Sequence, residues 1–167
     1  MQTIIEGILS RLSIRKFTGE SVKEQDLDLI LRAAMAAPSG MNIQPWSFIV
    51  VTDRVILNNL CKALPYAKML EKAGAAIIVC GDSKEGNWIV DCAAATENIL
   101  LAAHALGYGA VWTAVYKYES RIEPVRSECN IPKDIIPLNV IPIGIPLENY
   151  LKPIDKYKKD KIHKNTW

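Results

Sequence analysis

Arg11, Ser13 and Arg15 stand at alternate positions in the run from Ser10 to Phe17. In an extended segment alternate residues share a face, so two guanidiniums and a hydroxyl would converge on one anionic object. Arginine's planar fork suits a phosphate or a polarised ring carbonyl better than lysine's point charge does. The bland alternative is an ordinary basic surface strand. A second segment, from Ala37 to Trp46, carries Pro38, Ser39, Gly40, Asn42, Gln44 and Pro45 between a helix and a strand. Pro38, Ser39 and Gly40 would make a turn in any case. A plain turn has no use for two amides at that spacing.

Along the chain these two segments are followed by Gly107 to Trp112, Val140 to Pro146 and the tail Lys161 to Trp167. In that order they resemble the nitroreductase family of FMN-dependent oxidoreductases, over nearly the whole chain, as one of the family's short members. The resemblance implies the nitroreductase α+β fold: a mixed central sheet wrapped by helices, in an intertwined homodimer whose two subunits share two flavin sites. It implies one FMN-binding domain over 1–167, with about 147–167 an extended tail.

The same resemblance suggests roles. Arg11 and Ser13 would meet the FMN phosphate, with Leu12 between them at the cofactor, and Lys156 of Asp155, Lys156 and Tyr157 is the candidate third ligand. Arg15 would lie at the pyrimidine edge, where a cation stabilises the charge of the reduced ring. Pro38, Ser39, Gly40, Asn42 and Gln44 fall on the loop that relatives donate across the dimer interface. Thr113, Ala114 and Val115 would offer main-chain N–H groups to flavin N5 and O4. Several relatives carry a Glu-Gly pair where this chain has Ala114 and Val115, so a glutamate's side-chain part in substrate binding is absent. Trp112 is left with two readings, against the ring or in the core.

The activity implied is hydride transfer from NADH or NADPH through flavin N5 to an electron-poor small molecule, such as a nitroaromatic or quinone, in a ping-pong cycle. No catalytic side chain is required, because the protein supplies position and electrostatics. A dehalogenase, enoate reductase or dehydrogenase on the same fold remains open, as does a non-catalytic flavin-binding dimer. His104, in a buried helix, reads as a satisfied core histidine, and His163 as a local tail residue. There is no G-x-G-x-x-G after a strand, no Walker loop and no hydrolase ordering of Ser, His and Asp.

The elements that must position these residues follow from periodicity. Thr3 to Leu9 has helical spacing. Ser21 reads as an N-cap with Glu24 completing a capping box, and Leu27, Ile30, Leu31, Ala34 and Met35 form the stripe of the helix that Pro38 ends. Trp46 to Thr52, Ala75 to Cys80, Ala110 to Tyr116 and Leu138 to Ile145 read as strands. Val55 to Leu64 reads as a helix and Tyr66 to Lys72 as a short one. Trp88 to Leu106, small or apolar on almost every side, predicts a buried helix at a subunit contact, stopped by Gly107. Ser120 to Cys129 predicts a short helix interrupted at Pro124.

Composition narrows the class. The chain has 167 residues, 50% of them hydrophobic and 23% charged, with a net charge of +2. That balance gives no support to nucleic-acid or membrane attraction. Six lysines crowd 152–164 against two aspartates; by composition this is a solvated tail, and the resemblance implies one that neutralises a cofactor phosphate. Cys61, Cys80, Cys92 and Cys129 form no C-x-x-C pair and lie outside metal-ligand spacing of either histidine. No signal segment opens the chain, and a reducing, cytoplasmic setting is expected. Tyr157, Ile162 and Trp167 in the tail need something to cover.

Overall fold

The central sheet is built around two strands buried along most of their length. The structure, a computed structural model, describes residues 3–148 and 155–167; Gln2 and residues 149–154 of the expected tail, Lys152 included, lie outside the described residues. Strands β1 (Trp46–Val51), β2 (Ala75–Asp82), β3 (Gly109–Ala110), β4 (Thr113–Ala114) and β5 (Ile135–Gly144) form one sheet in the order β1-β2-β5-β3, with β4 also on β5. Among the described residues every strand pair is antiparallel, and a parallel bridge joins Ser13 to Ala110.

Along β2 the pleat sends Ile77 and Val79 into one apolar cluster and Ile78 and Cys80 into the other. Helix α3 (Arg54–Ala63) and helix α5 (Glu119–Cys129) cover the Ile78 and Cys80 side through Leu57, Leu60 and Val125. Helix α2 (Glu24–Met35) and the long helix α4 (Trp88–Ala105) cover the opposite face through Ile30, Ala34, Ile99 and Ala103. No helix of the described residues is long and apolar enough to cross a membrane.

Four sequence expectations are corrected. The strand expected from Ala110 to Tyr116 is two short pieces, β3 and β4, which pair with β5 in one unbroken register. Between them Val111 falls opposite Pro142, which has no N–H to give. Ser21 does not cap α2: Lys23 is the N-cap and makes no side-chain cap bond. The segment before it is held extended against Gly74, where a Cβ would meet the Glu20 carbonyl and the Val22 backbone. The capping box lies instead on helix α1 (Ile4–Ser10), between Thr3 and Glu6. Finally, α5 runs through Pro124 without a break; as the sixth residue it lies past the unpaired donors of the first turn, so the helix forgoes one bond to the Ser120 carbonyl.

Candidate functional site

Helix α1 ends at Arg11, whose backbone N–H reaches the Gly7 carbonyl at 3.0 Å before the chain turns extended. From there Ile14 is buried, and its N–H donates to the Ala110 carbonyl at 3.0 Å. Gly109 lies so close beneath Ile14 that a Cβ there would strike the isoleucine side chain. This lock to the sheet edge leaves Ser13 and Arg15 exposed on the opposite side, with Arg15 Nη1 donating to the Ser13 carbonyl at 3.5 Å. Arg11 does not join that face. Its side chain, 20% exposed, turns onto α4 and pairs through Nε with Glu97 Oε1 at 3.2 Å. The alternation expected of the three residues begins only after the helix cap, so Arg11 reaches the region from another direction.

The loop after α2 is folded by its own polar groups. Ser39 Oγ accepts from the Gln44 N–H at 3.0 Å, and Gln44 Nε2 donates to Asn42 Oδ1 at 3.0 Å. Met41, Asn42 and Gln44 all take positive φ, of 48°, 58° and 55°. Left-handed backbone costs a non-glycine residue on the order of 1–3 kcal/mol, and such strain collects at sites that bind ligands. The Gly40 N–H donates to the buried Asp91 carboxylate at 3.2 Å, which anchors the loop on the first turns of α4. Pro38, Asn42 and Gln44 are exposed. Among the described residues, no hydrogen bond or ion pair joins this loop to Arg11, Leu12, Ser13 or Arg15.

On the third segment, Thr113 is buried and its hydroxyl donates to the Val140 carbonyl. Ala114 is exposed, and its carbonyl accepts from Arg121 Nη1 at 3.1 Å. The N–H groups of Val115 and Tyr116 both go to the Leu138 carbonyl at 3.0 Å. Leu138 can serve both because it is the extra residue of a bulge, where Val79 faces Asn139 and Cys80 faces Pro137. Trp112 is 36% exposed, so it does not pack in the core. Lys156 lies in the exposed stretch 155–167, where no bond to Arg11 or Ser13 forms among the described residues.

Sequence reading passed over Glu97. The signal was available: α4 carries Asp91 and Glu97 as its acidic residues among small and apolar ones, and each holds a segment of the candidate site. Arg121 was also missed. Its guanidinium lies 4.0 Å from the Tyr118 ring and 5.1 Å from the Tyr66 ring, and no spacing rule would have joined Arg121 to Tyr66.

His104 Nε2 meets Ser10 Oγ at 2.8 Å, so it is a satisfied histidine. Burial, and then the Arg11 charge, hold its pKa below the usual value. Burial pushes the Cys80 and Cys92 thiols up to about 12, which leaves neither a thiolate nucleophile at neutral pH.

The profile of the Nitroreductase family matches residues 8–79 and 57–145. The chain belongs to the nitroreductase family. It is 46% identical over 168 residues, 98% of its own length and 87% of the relative's, to a Methanothermobacter thermautotrophicus protein provisionally named NADH dehydrogenase/NAD(P)H nitroreductase. A crystal structure of a Bacteroides thetaiotaomicron protein with the same provisional name is 49% identical, covers 98% of each chain and superposes with a TM-score of 0.95. An FMN-dependent nitroreductase from Clostridium difficile is 32% identical, covers 98% of this chain and 99% of its own, and has a TM-score of 0.92. The α+β nitroreductase fold is thus that of the chain, which is an oxidoreductase by family.

The donor set of this nitroreductase-family chain fits FMN. A phosphate suits Arg11 and the Ser13 hydroxyl, and a ring edged by carbonyls and N–H groups suits Arg15, the Asn42 and Gln44 amides and an exposed backbone at Ala114.

Proposed function

We propose that the chain binds FMN non-covalently and works as a homodimeric NAD(P)H oxidoreductase with an electron-poor small molecule as acceptor, of the nitroaromatic or quinone type. The observation that carries the proposal is the lock of Ile14 on Gly109, which presents Ser13 and Arg15 outward beside an edge strand. FMN when bound supplies the hydride chemistry. The chain's own residues bind, orient and charge the site. Arg11 and Ser13 hold the phosphate, Arg15 places positive charge near the ring, and the Ser39 to Gln44 loop sets its amides along a second edge. Lys156 adds a further cation to the phosphate when the tail closes over it. Family relatives support the cofactor, since the Clostridium difficile protein is FMN-dependent.

The dimer rests on uncovered apolar surface. Helix α1 buries no residue, and Ile4, Ile5 and Leu9 are 82%, 65% and 70% exposed. Seven residues are too few for a helix to hold alone in water. A groove of about 440 Å³ runs between α1, α2 and α4, lined by Ile4, Gly7, Ile8, Ala33, Leu101 and Ala105. Tyr157, Ile162 and Trp167 of the tail are also open. A second copy would cover all three regions and bring its Ser39 to Gln44 loop to the Ser13 face, which that loop does not reach within one chain.

Purified protein tests the reading in one preparation. Light scattering should give a particle of about twice 18.6 kDa, and extraction should release about one FMN per chain. A monomer that carries no FMN, and gains none on reconstitution, would overturn the proposal.

A further inference from the structure

We propose that Glu97 is the positioning residue for Arg11, fixing the guanidinium so that its outer edge is presented to the phosphate of the flavin; this rests on the FMN reading above. Glu97 Oε1 takes Arg11 at Nε, 3.2 Å away, and among the described residues no hydrogen bond occupies either Nη. An ion pair at Nε restrains the swing of the guanidinium. Its Nη1–Nη2 edge is then left for a planar, two-point contact with an anion. The Arg11 side chain is 20% exposed and that of Glu97 47%, so the pair lies at the rim, with the cation more buried than the carboxylate.

The preceding residue is pinned to the same helix. His104 lies seven residues beyond Glu97, two turns along the same face of α4, and bonds Ser10 Oγ at 2.8 Å. Arg11 is thereby held to one helix by its own side chain and by that of its neighbour Ser10. His104 remains neutral above its lowered pKa, so no second cation competes for Glu97. An arginine free to rotate would lose side-chain entropy on binding. Glu97 removes that loss before the ligand arrives. The opposite role, a carboxylate that competes with phosphate for Arg11, predicts the reverse outcome and is separated by the test.

The experiment titrates apoprotein with FMN and with riboflavin, which lacks the phosphate, following the quenching of flavin fluorescence. Replacing Glu97→Ala should cut the preference for FMN over riboflavin by about tenfold or more and leave riboflavin within about twofold. Replacing Glu97→Gln, which keeps an oxygen within the same reach of Nε, should keep that preference within about threefold of wild type. Glu97→Met, which keeps the stem of the side chain, should behave as Glu97→Ala even if the smaller variant destabilises α4. Retained preference in both Glu97→Ala and Glu97→Met overturns the proposal, and tighter FMN binding in Glu97→Gln and Glu97→Ala makes Glu97 a competitor. Arg11→Ala reports on the underlying reading: should it leave the preference unchanged, the phosphate assignment fails, whatever Glu97 does.

Discussion

Ser10 Oγ lies 2.8 Å from His104 Nε2, tying the last turn of α1 to the long helix behind it. Burial and the Arg11 charge favour the neutral ring, so the folded pKa lies below the unfolded value near 6.5. A group depressed in this way contributes stability that is full above the unfolded pKa. That contribution is lost as pH falls from there through the folded pKa, because the unfolded chain takes up the proton first. Urea unfolding of apoprotein should therefore show a midpoint that drops below about pH 6.5. The drop should be smaller in His104→Gln. Parallel pH profiles for the two proteins would contradict this account of His104.

Gly109→Ala should act on both stability and the site. The added Cβ meets Ile14 head-on, and overpacking of this kind costs about 1–3 kcal/mol. Relief requires Ile14 to lift, which breaks the bond from its N–H to Ala110 and carries Ser13 outward. Chemical denaturation measures the first effect, and FMN titration the second. Affinity should fall along with stability. A variant destabilised but unchanged in FMN affinity would detach the Ile14 lock from the flavin site.

Asn139 is fully buried, donates to Thr96 Oγ1 at 2.9 Å, and leaves its own Oδ1 without a hydrogen-bond partner. Thr96→Val strands the amide's donor too and should cost about 1–3 kcal/mol. The double change Thr96→Val with Asn139→Leu removes both polar partners at similar shape. It should return stability to within about 1 kcal/mol of wild type. Additive losses in a double-mutant cycle would contradict the pairing.

Much of this fold is legible where one physical demand dominates. Trp88 to Leu106 reads as a helix because its run of small apolar residues leaves no other solution, and α4 ends one residue short of that, at Ala105. Gly107, at a φ of 85°, provides the expected stop. The strand expected at Ala110 fails at Val111 because its partner is Pro142, a fact about pairing that local pattern does not contain. The start of α2 depends on Tyr108 for the same reason. Its hydroxyl donates to Asp26 at 2.7 Å and accepts the Lys23 N–H at 3.4 Å, from more than eighty residues away. In the candidate site, residue types were legible at Ser13, Arg15 and the Ser39 to Gln44 loop. The turn of Arg11 onto Glu97 was not, since only tertiary packing decides where a capping residue's side chain goes.

The most direct measurement is a visible spectrum of purified protein, taken before and after anaerobic addition of NADH and then NADPH. Flavin bands that bleach with either nucleotide, and return when a nitroaromatic or quinone is added, are the expected result. Protein without flavin bands even after reconstitution with FMN, or bands that both nucleotides leave unchanged, would contradict the account.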